Sequence, residues 1–248
     1  MSGVAVEFRG VSFAELGAPP RLEDLNLDIA AGERLVMLGR SGSGKTTALR
    51  LVNALLRPSR GTVSIAGRPT TEWNVVELRR RTGYVIQEGG LFPHFDVARN
   101  VSVVPSLLGW DPERVHERVG EMLRLVGLDP ARFRARYPDE LSGGERQRVG
   151  VARALAADPP LVLMDEPFGA LDPPTREDVC GEFRSLARRL GKTLLFVTHD
   201  LREALALADR IALLRRGRLA FVGRPSELLA TQDEEARAFV RTLEQDAG

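Results

Sequence analysis

The run GRSGSGKT, residues 39–46, is the part of the sequence that says most about the fold. It matches the pattern G-x-x-x-x-G-K-[ST], and it lies between the apolar run RLVML and KTTALRLVNALL, whose apolar residues recur at helical spacing. A strand, a glycine-rich loop and a helix in this order are typical of a P-loop, whose backbone N–H groups point at phosphate oxygens. A loop that only turns the chain has no need of Lys-Thr at that offset. The sequence therefore predicts a nucleotide phosphate site and a helix over residues 45–56.

The positions of this loop have predicted roles. Lys45 can reach the β- and γ-phosphates, and the Thr46 hydroxyl can bind Mg²⁺. The helix contributes its positive N-terminal end to the same anion site. The predicted nucleotide-binding positions of the loop are Gly39, Arg40, Ser41, Gly42, Ser43, Gly44, Lys45, Thr46 and Thr47.

Two acidic residues follow another apolar run, LVLMDEP at residues 161–167. An aspartate at the end of a buried parallel strand costs free energy unless it binds something. Asp165 can hold Mg²⁺ through water, and Glu166 can orient or polarise an attacking water. The alternative, an exposed acidic turn, is weaker in a chain that has a P-loop.

A histidine ends the apolar run LLFVTHD, residues 194–200. A lone histidine at a strand end is more often structural than catalytic. His199, however, falls at the carboxyl edge of the predicted parallel sheet, where ligands bind in open α/β folds. We therefore expect it to hydrogen-bond the γ-phosphate.

The run LSGGERQR, residues 141–148, points to a family. It resembles the signature sequence of ATP-binding cassette (ABC) proteins, and together with the other motifs the resemblance extends from about Val4 to about Leu229. Gln87 is similar to the family's Q-loop, and GALD, residues 169–172, to its D-loop.

This resemblance implies a head-to-tail dimer that holds two ATP molecules between its subunits. The signature opens a helix and so forms a second anion site, which in the family serves the other subunit's nucleotide. The residues implied to bind there are Ser142, Gly143, Gly144 and Glu145.

The resemblance also implies the catalytic roles. Glu166 would be the catalytic base, and Gln87 a Mg²⁺ ligand that senses the γ-phosphate. Asp172 would contact the partner's P-loop. ATP and Mg²⁺ are the implied cofactors, with Thr46, Gln87 and Asp165 as metal ligands.

The family usually has an aromatic residue upstream that stacks on adenine, but this chain has Glu15 at that place. Phe13 and Leu16 lie nearby, so the adenine contact stays open.

The pattern of strands and helices predicts an α/β fold. VAVEFRGVSF and LEDLNLDI alternate apolar and polar residues like antiparallel strands, whereas PERVHERVGEMLRLVGL and GERQRVGVARALAA are amphipathic helices. With the resemblance, this is a P-loop NTPase (RecA-like) core with an N-terminal antiparallel β subdomain and an inserted α-helical subdomain at about 90–156. We expect the cassette over 1–230 and a helical tail over 231–248.

Composition is typical of a soluble globular protein. The formal net charge of +1 gives no case for a nucleic-acid partner, and a single cysteine, Cys180, excludes an intrachain disulfide. No signal peptide and no membrane-spanning run are found. We therefore expect a peripheral protein on the cytoplasmic side of the cell membrane, which acts on the membrane through a partner.

Transport is the favoured function among ABC classes. DNA-handling relatives insert a long coiled coil between Q-loop and signature, and translation factors carry two cassettes; neither feature is found here. Separate ATPase subunits are the rule among importers. YVIQEGGLFPH, residues 84–94, and VVPSLLGWD, residues 103–111, resemble the osmoprotectant group for glycine betaine, choline and carnitine. Polar amino-acid and phospholipid-type importers are the alternative. Some members of the osmoprotectant group carry regulatory domains after the cassette, and we do not expect such domains here.

The segment 88–97 is the predicted contact with the transmembrane permease subunits, and through them with a substrate-binding protein. Gly89 and Gly90 would allow it to bend, while Leu91, Phe92 and Phe95 would provide apolar contact. Packing of these aromatic residues inside the helical lobe is an equally weighted alternative.

Overall fold

The computed structural model describes residues 4–87, 90–169, 171 and 173–245. The chain divides into two compact units, of which the first contains residues 1–79 and 192–248 and the second residues 80–191. Each unit carries its own share of the predicted site residues.

Strands and helices are numbered in chain order. The strands of the described residues are β1 (Val4–Phe13), β2 (Leu22–Ala30), β3 (Arg34–Leu38), β4 (Arg60–Ile65), β5 (Arg68–Pro69), β6 (Thr82–Val85), β7 (Leu161–Asp165), β8 (Thr193–Thr198), β9 (Arg210–Arg215) and β10 (Arg218–Gly223). The helices are α1 (Lys45–Val52), α2 (Val75–Arg80), α3 (Val97–Leu107), α4 (Pro112–Leu125), α5 (Pro130–Phe133), α6 (Gly143–Leu155), α7 (Pro173–Leu190), α8 (Leu201–Leu207), α9 (Pro225–Ala230) and α10 (Glu234–Gln245).

An antiparallel sheet with the strand order β2-β1-β4-β5 lies in the first unit. Its strands alternate as the sequence predicts: in β2, Leu25, Leu27 and Ile29 are buried, whereas Asn26 and Asp28 between them are exposed. Period-two burial of this kind is typical of a sheet with one face on the core. The predicted antiparallel β subdomain is thus present.

Parallel strands form the other sheet of the first unit. β3 pairs in parallel with β8 on one side and with β9 on the other, and β9 continues through a hairpin into β10. β8 is buried along its whole length, and β3 from Leu35 to Leu38, as expected for central strands. Leu38 pairs with Thr198, so the segments that follow β3 and β8 begin at the same edge of the sheet.

The helix after the P-loop is shorter than predicted. We expected it over residues 45–56, but it ends at Val52. Ala54 has a φ of 54°, in the left-handed region that helices do not use. The N–H groups of Leu55 and Leu56 both donate to the carbonyl of Arg50 (2.9 and 3.0 Å), and these bonds complete the last turn.

The second unit combines two strands with a group of helices. β6 and β7 are parallel, with Val85 opposite Met164. Helices α3 to α6 follow one another between these strands, and no strand occurs in the described part of residues 86–160. This agrees with the predicted helical insert. Its packing core includes Val101, Leu123 and Val149, all without solvent exposure.

Two helices, α9 and α10, follow the last strand in the first unit. The sequence predicts one or two there, while the proposed domain boundary at residue 230 stays a prediction. Within the described residues, no helix combines the length and the apolarity needed to cross a bilayer.

Candidate functional site

The P-loop lysine is turned back over its own loop. Lys45 Nζ donates to the carbonyl oxygens of Gly39 (2.8 Å) and Arg40 (3.1 Å), and the residue is only 5% exposed. These bonds fix the ammonium group inside the curve of the loop, where phosphate oxygens are cradled in a P-loop.

Two glycines of the loop are required by space and by backbone conformation. Gly44 has a φ of 106°, and a Cβ there would lie 2.6 Å from the carbonyl oxygen of Arg21. A Cβ on Gly39 would lie 2.5 Å from Ser43 Oγ and 2.6 Å from the carbonyl oxygen of Leu214. Any side chain at either position would therefore push the loop out of shape.

Next to the loop is a cavity of about 370 Å³ with a marked excess of cationic groups. Ser43 Oγ is buried and has no hydrogen-bond partner within the described residues. Buried polar groups normally have hydrogen-bond partners, so the Ser43 hydroxyl indicates that a bound ligand supplies the acceptor atom. The lining residues are Arg40, Ser41, Gly42, Ser43, Leu214, Arg215 and Arg216. The chemistry of this lining fits an anion such as a nucleotide phosphate.

The β9–β10 turn supports the P-loop, a role that the sequence did not reveal. The N–H of Gly217 donates to the carbonyl of Ser43 (3.0 Å), and the N–H of Glu23 donates to the carbonyl of Gly217 (2.8 Å). Arg-Gly between two apolar runs does indicate a turn, but no local signal says what the turn contacts.

His199 stands at the edge of the sheet that also carries the P-loop. It is exposed and follows Thr198, which pairs with Leu38, the residue before the loop. Thr198 Oγ1 donates to the Glu203 carboxylate (2.6 Å) and accepts from the N–H of Asp200 (3.0 Å). These bonds hold the backbone on both sides of the histidine, so its position is well defined at the predicted edge.

The predicted metal and water ligands of the second unit come together at one edge of its strands. Val85 lies opposite Met164, which brings Gln87 and the Asp165–Glu166 pair to the same end of β6 and β7. Asp165 is 3% exposed. Glu166 has a φ of 44°, a conformation that non-glycine residues adopt mainly at turns and functional sites.

The predicted metal ligands suit Mg²⁺ by residue type. Thr46 offers a hydroxyl, Gln87 an amide oxygen and Asp165 a carboxylate, and these are hard oxygen ligands of the kind that Mg²⁺ takes along with water and phosphate. No group of three or more His, Cys, Asp or Glu side chains placed to hold a metal occurs among the described residues.

The signature helix begins with a reciprocal cap. The N–H of Glu145 donates to Ser142 Oγ (3.3 Å), and the N–H of Ser142 donates to the Glu145 carboxylate (2.8 Å). The pKa of Glu145 is lowered, chiefly because its charged form accepts the backbone bond from Ser142, with smaller help from the Ser142 hydroxyl. Ser142 and Gly143 are exposed, so the start of α6 is open to a ligand.

The predicted permease segment is held by one buried asparagine. Asn100 Oδ1 accepts from the N–H of Phe92 (2.8 Å), and its Nδ2 donates to the carbonyls of Phe92 (3.1 Å), Phe95 (3.0 Å) and Asp96 (3.0 Å). Phe92 is 41% exposed, which favours a surface role over core packing for this ring. Glu88 and Gly89 lie outside the described residues.

An arginine on α6 contacts this segment, and the sequence did not reveal that contact. Arg153 Nη1 donates to the carbonyl of Gly90 (2.9 Å), and its guanidinium lies 5.8 Å from the centre of the Phe92 ring. Burial lowers the pKa of Arg153, because desolvation disfavours the charged form. Arg153 is one of several arginines in the amphipathic run GERQRVGVARALAA, and no local signal in the sequence distinguishes it from the others.

The structure narrows the choice among the residues considered for the adenine contact. Phe13 is the last residue of β1 and is only 8% exposed, so its ring is not available for stacking. Glu15 forms an exposed ion pair with Arg21 (3.1 Å), whereas Leu16 is fully exposed. Of the residues considered, Leu16 is the one with a free apolar surface. Asp172, the predicted D-loop contact, lies outside the described residues.

Comparisons with known proteins agree with this geometry. A protein-family model described as ABC transporter matches residues 22–169. The glycine betaine/carnitine/choline transport ATP-binding protein OpuCA of Bacillus subtilis is 51% identical over 225 residues, which are 91% of this chain and 59% of the relative. The osmoprotectant import ATP-binding protein OsmV of Salmonella typhimurium is 50% identical over 214 residues, 86% of this chain and 56% of the relative. The chain thus spans little more than half the length of these two relatives.

Solved structures support the fold. A dimeric post-hydrolysis structure of the ATP-binding cassette MJ0796, bound to ADP and Pi, has a TM-score of 0.78 and 32% identity, covering 89% of this chain and 98% of that one. The structure of cbiO1 from Clostridium perfringens, part of the transporter complex cbiONQ, has a TM-score of 0.84 and 24% identity, covering 96% of both chains. At that identity the second match supports the fold alone. The predicted P-loop NTPase fold is confirmed.

Proposed function

The chain belongs to the ABC transporter family, and we propose that it is the subunit that binds and hydrolyses ATP in an importer of quaternary-amine osmoprotectants such as glycine betaine, choline or carnitine. The observation that carries the ATPase is the P-loop, whose buried lysine and unpartnered Ser43 hydroxyl suit a nucleotide phosphate. The substrate class rests on the relatives OpuCA and OsmV and on the residues around Gln87 that resemble the osmoprotectant group.

In this proposal each residue of the site has its own role in ATP hydrolysis. Lys45 neutralises the β- and γ-phosphates, and the N-terminal end of α1 adds its partial positive charge. His199 donates a hydrogen bond to the γ-phosphate. Glu166 orients and polarises the water that attacks it, while Gln87 senses the γ-phosphate from the adjacent strand end.

Magnesium would neutralise charge on the transferring phosphoryl group. Its protein ligands in this proposal are Thr46, Gln87 and Asp165. Their oxygens suit a hard cation, and Thr46 lies at the start of the P-loop helix, where the phosphates would be bound.

A second copy completes each site. The exposed start of α6, with Ser142 and Gly143, would bind the nucleotide held by the P-loop of the other copy, and Asp172 would contact that loop. The dimeric state of the solved cassette MJ0796 supports this arrangement. ATP would favour the closed dimer and hydrolysis the open one, which is a ligand-driven shift between two states.

The permease subunits would bind at residues 88–97, and a substrate-binding protein would act through them. The chain would then lie on the cytoplasmic side of the cell membrane as a peripheral subunit. The Phe92 ring is exposed and Asn100 holds the main chain of Phe92, which together support a docking surface there.

Uptake in the native host tests the substrate class. The chromosomal gene is deleted and replaced by the wild-type gene or by Lys45→Ala, and the uptake of radiolabelled glycine betaine, choline, carnitine and glutamine is measured. We expect only the wild-type gene to restore uptake of a quaternary amine. Loss of glutamine uptake alone would favour a polar amino-acid importer, and unchanged uptake of all four solutes would contradict the proposal.

A further inference from the structure

A cavity of about 310 Å³ in the second unit has no part in the function proposed above. Its walls are the C-terminal end of α4 with the turn that follows, the middle of α6, Phe168 and the face of α7. We call it the α4–α6–α7 cavity. All of its lining residues belong to this one unit.

One side of the cavity is an apolar wall. The rings of Phe168 and Phe183 meet edge to face with centroids 5.9 Å apart, and Phe168 is fully buried. Aliphatic side chains continue this wall, and a preformed wall of this kind suits the hydrocarbon part of a small ligand. The apolar lining residues are Leu125, Val126, Val151, Phe168, Val179, Phe183 and Leu186.

The other side is cationic. Arg124, Arg148 and Arg189 line it against one acidic residue, Glu182. Arg148 is paired with Glu182 at 3.0 Å, whereas no ion pair of Arg124 or Arg189 occurs within the described residues. The guanidinium of Arg148 lies against the turn after α4, because a Cβ on Gly127 would be 3.0 Å from Arg148 Nη1. An anionic group is therefore favoured at this end.

A buried donor at the same cavity has no acceptor in the part of the chain that the structure describes. Gln147 lines the cavity and is 4% exposed, and its Nε2 atom has no hydrogen-bond partner there. A buried N–H group without an acceptor is costly, and the large majority of buried polar atoms in proteins are paired. A carboxylate oxygen entering beside Arg148 would supply the acceptor.

We propose that the α4–α6–α7 cavity binds a small amphipathic carboxylate. Its hydrocarbon part packs on the apolar wall at Phe183, which Phe168 supports from behind, its carboxylate accepts from Gln147 Nε2, and the arginines at the rim balance its charge. A cationic amphiphile is disfavoured by the same arginines. A neutral amphiphile of equal length leaves the positive charge of the rim arginines without a counter-charge.

Isothermal titration calorimetry with octanoate tests this assignment and needs neither nucleotide nor permease, so its outcome is independent of the proposed function. Octan-1-ol and octyltrimethylammonium serve as neutral and cationic comparators with the same chain. We expect one octanoate per protein chain, at least tenfold weaker binding of octan-1-ol, and no saturable binding of the cation. Equal affinity for octan-1-ol, or several weak octanoate sites, would overturn the proposal.

Two substitutions locate the ligand. Ser185→Trp places a large ring at an exposed position on the rim, where folding is not disturbed, and Ser106→Trp is the matched exposed control on α3. We expect octanoate affinity to fall at least tenfold in the first variant and to stay unchanged in the second. Unchanged affinity in Ser185→Trp would overturn the assignment.

Gln147→Leu removes the donor at similar volume. We expect octanoate to bind at least tenfold more weakly to this variant, while octan-1-ol binds as before. An equal loss for both ligands would show that the amide is not the carboxylate's partner and would contradict the proposal. Circular dichroism and the thermal midpoint of unfolding check the fold of every variant.

Discussion

Gly217→Ala tests the contact between the β9–β10 turn and the P-loop, and the chain offers a matched control in Gly67→Ala. Both glycines are the second residue of a two-residue hairpin turn, with φ values of 80° and 78°, and each follows a residue of positive φ. Both turns are thus of the type that favours glycine. They differ in their surroundings: a Cβ on Gly217 would lie 2.7 Å from the carbonyl oxygen of Arg21, whereas a Cβ on Gly67 would meet nothing within 4 Å.

The expected magnitudes follow from this difference. A left-handed conformation costs a residue with a Cβ roughly 1–2 kcal/mol, and this is the whole effect expected for Gly67→Ala. At Gly217 the clash is with backbone, so the turn has to move away from both of its partners, the Ser43 carbonyl and the Glu23 N–H. Each lost bond is worth about 0.5–1.5 kcal/mol, so we expect Gly217→Ala to be about 1–3 kcal/mol less stable than the control.

Urea unfolding followed by circular dichroism measures the stability difference, and a fluorescent ATP analogue measures nucleotide affinity. We expect weaker nucleotide binding in Gly217→Ala, because the main chain at Ser43 loses its support, and wild-type binding in Gly67→Ala. Equal stability loss in the two variants, together with equal nucleotide affinity, would refute the supporting role of the turn.

Other substitutions test the remaining elements. Phe92→Ala removes an exposed ring, so we expect a stability change below about 1 kcal/mol and normal basal ATPase activity but loss of transport; loss of folding would instead show core packing. Asn100→Ala removes four partly buried hydrogen bonds, so a loss of about 2 kcal/mol or more in urea unfolding is expected, and a neutral result would contradict its holding role. Because the folded-state pKa of Glu145 is lowered, its stabilising effect is present above the unfolded carboxyl's pKa and is lost as the pH falls through the folded pKa. The difference in thermal midpoint between the wild type and Glu145→Ala should therefore shrink in acid, and a constant difference would argue against the charged cap. Ser142→Arg should abolish hydrolysis while ATP binding to the monomer persists, and surviving turnover would contradict the shared site.

Features that depend on neighbouring residues could be predicted from the sequence. The P-loop needs a strand, a glycine-rich turn and a helix start in immediate succession, so GRSGSGKT with its flanks was sufficient. The edge positions of Asp165 and His199 follow likewise, because both residues end continuously apolar runs that only a buried strand explains. The end of α1 was missed, since a left-handed Ala54 leaves no mark in the sequence.

Features that depend on distant residues could not be predicted. The support of Ser43 by Gly217 joins parts of the chain far apart in sequence, and so does the α4–α6–α7 cavity, to which three helices contribute. Phe13 shows the same limit: its position suggested an adenine contact, but the ring is buried at the end of β1, opposite Leu22 on β2. Local patterns indicate which residue types are present, while burial is decided by what packs against them.

The oligomeric state of Glu166→Gln in the presence of ATP is the sharpest test of ATP hydrolysis at a site that two copies share. If Glu166 polarises the attacking water and two copies share two nucleotides, this variant binds ATP, loses most of its hydrolysis and accumulates as a dimer. Light scattering after size exclusion would then give twice the monomer mass in the presence of ATP and the monomer mass in the presence of ADP. A variant that stays monomeric with ATP and keeps near-normal turnover would contradict both the role of Glu166 and the shared site.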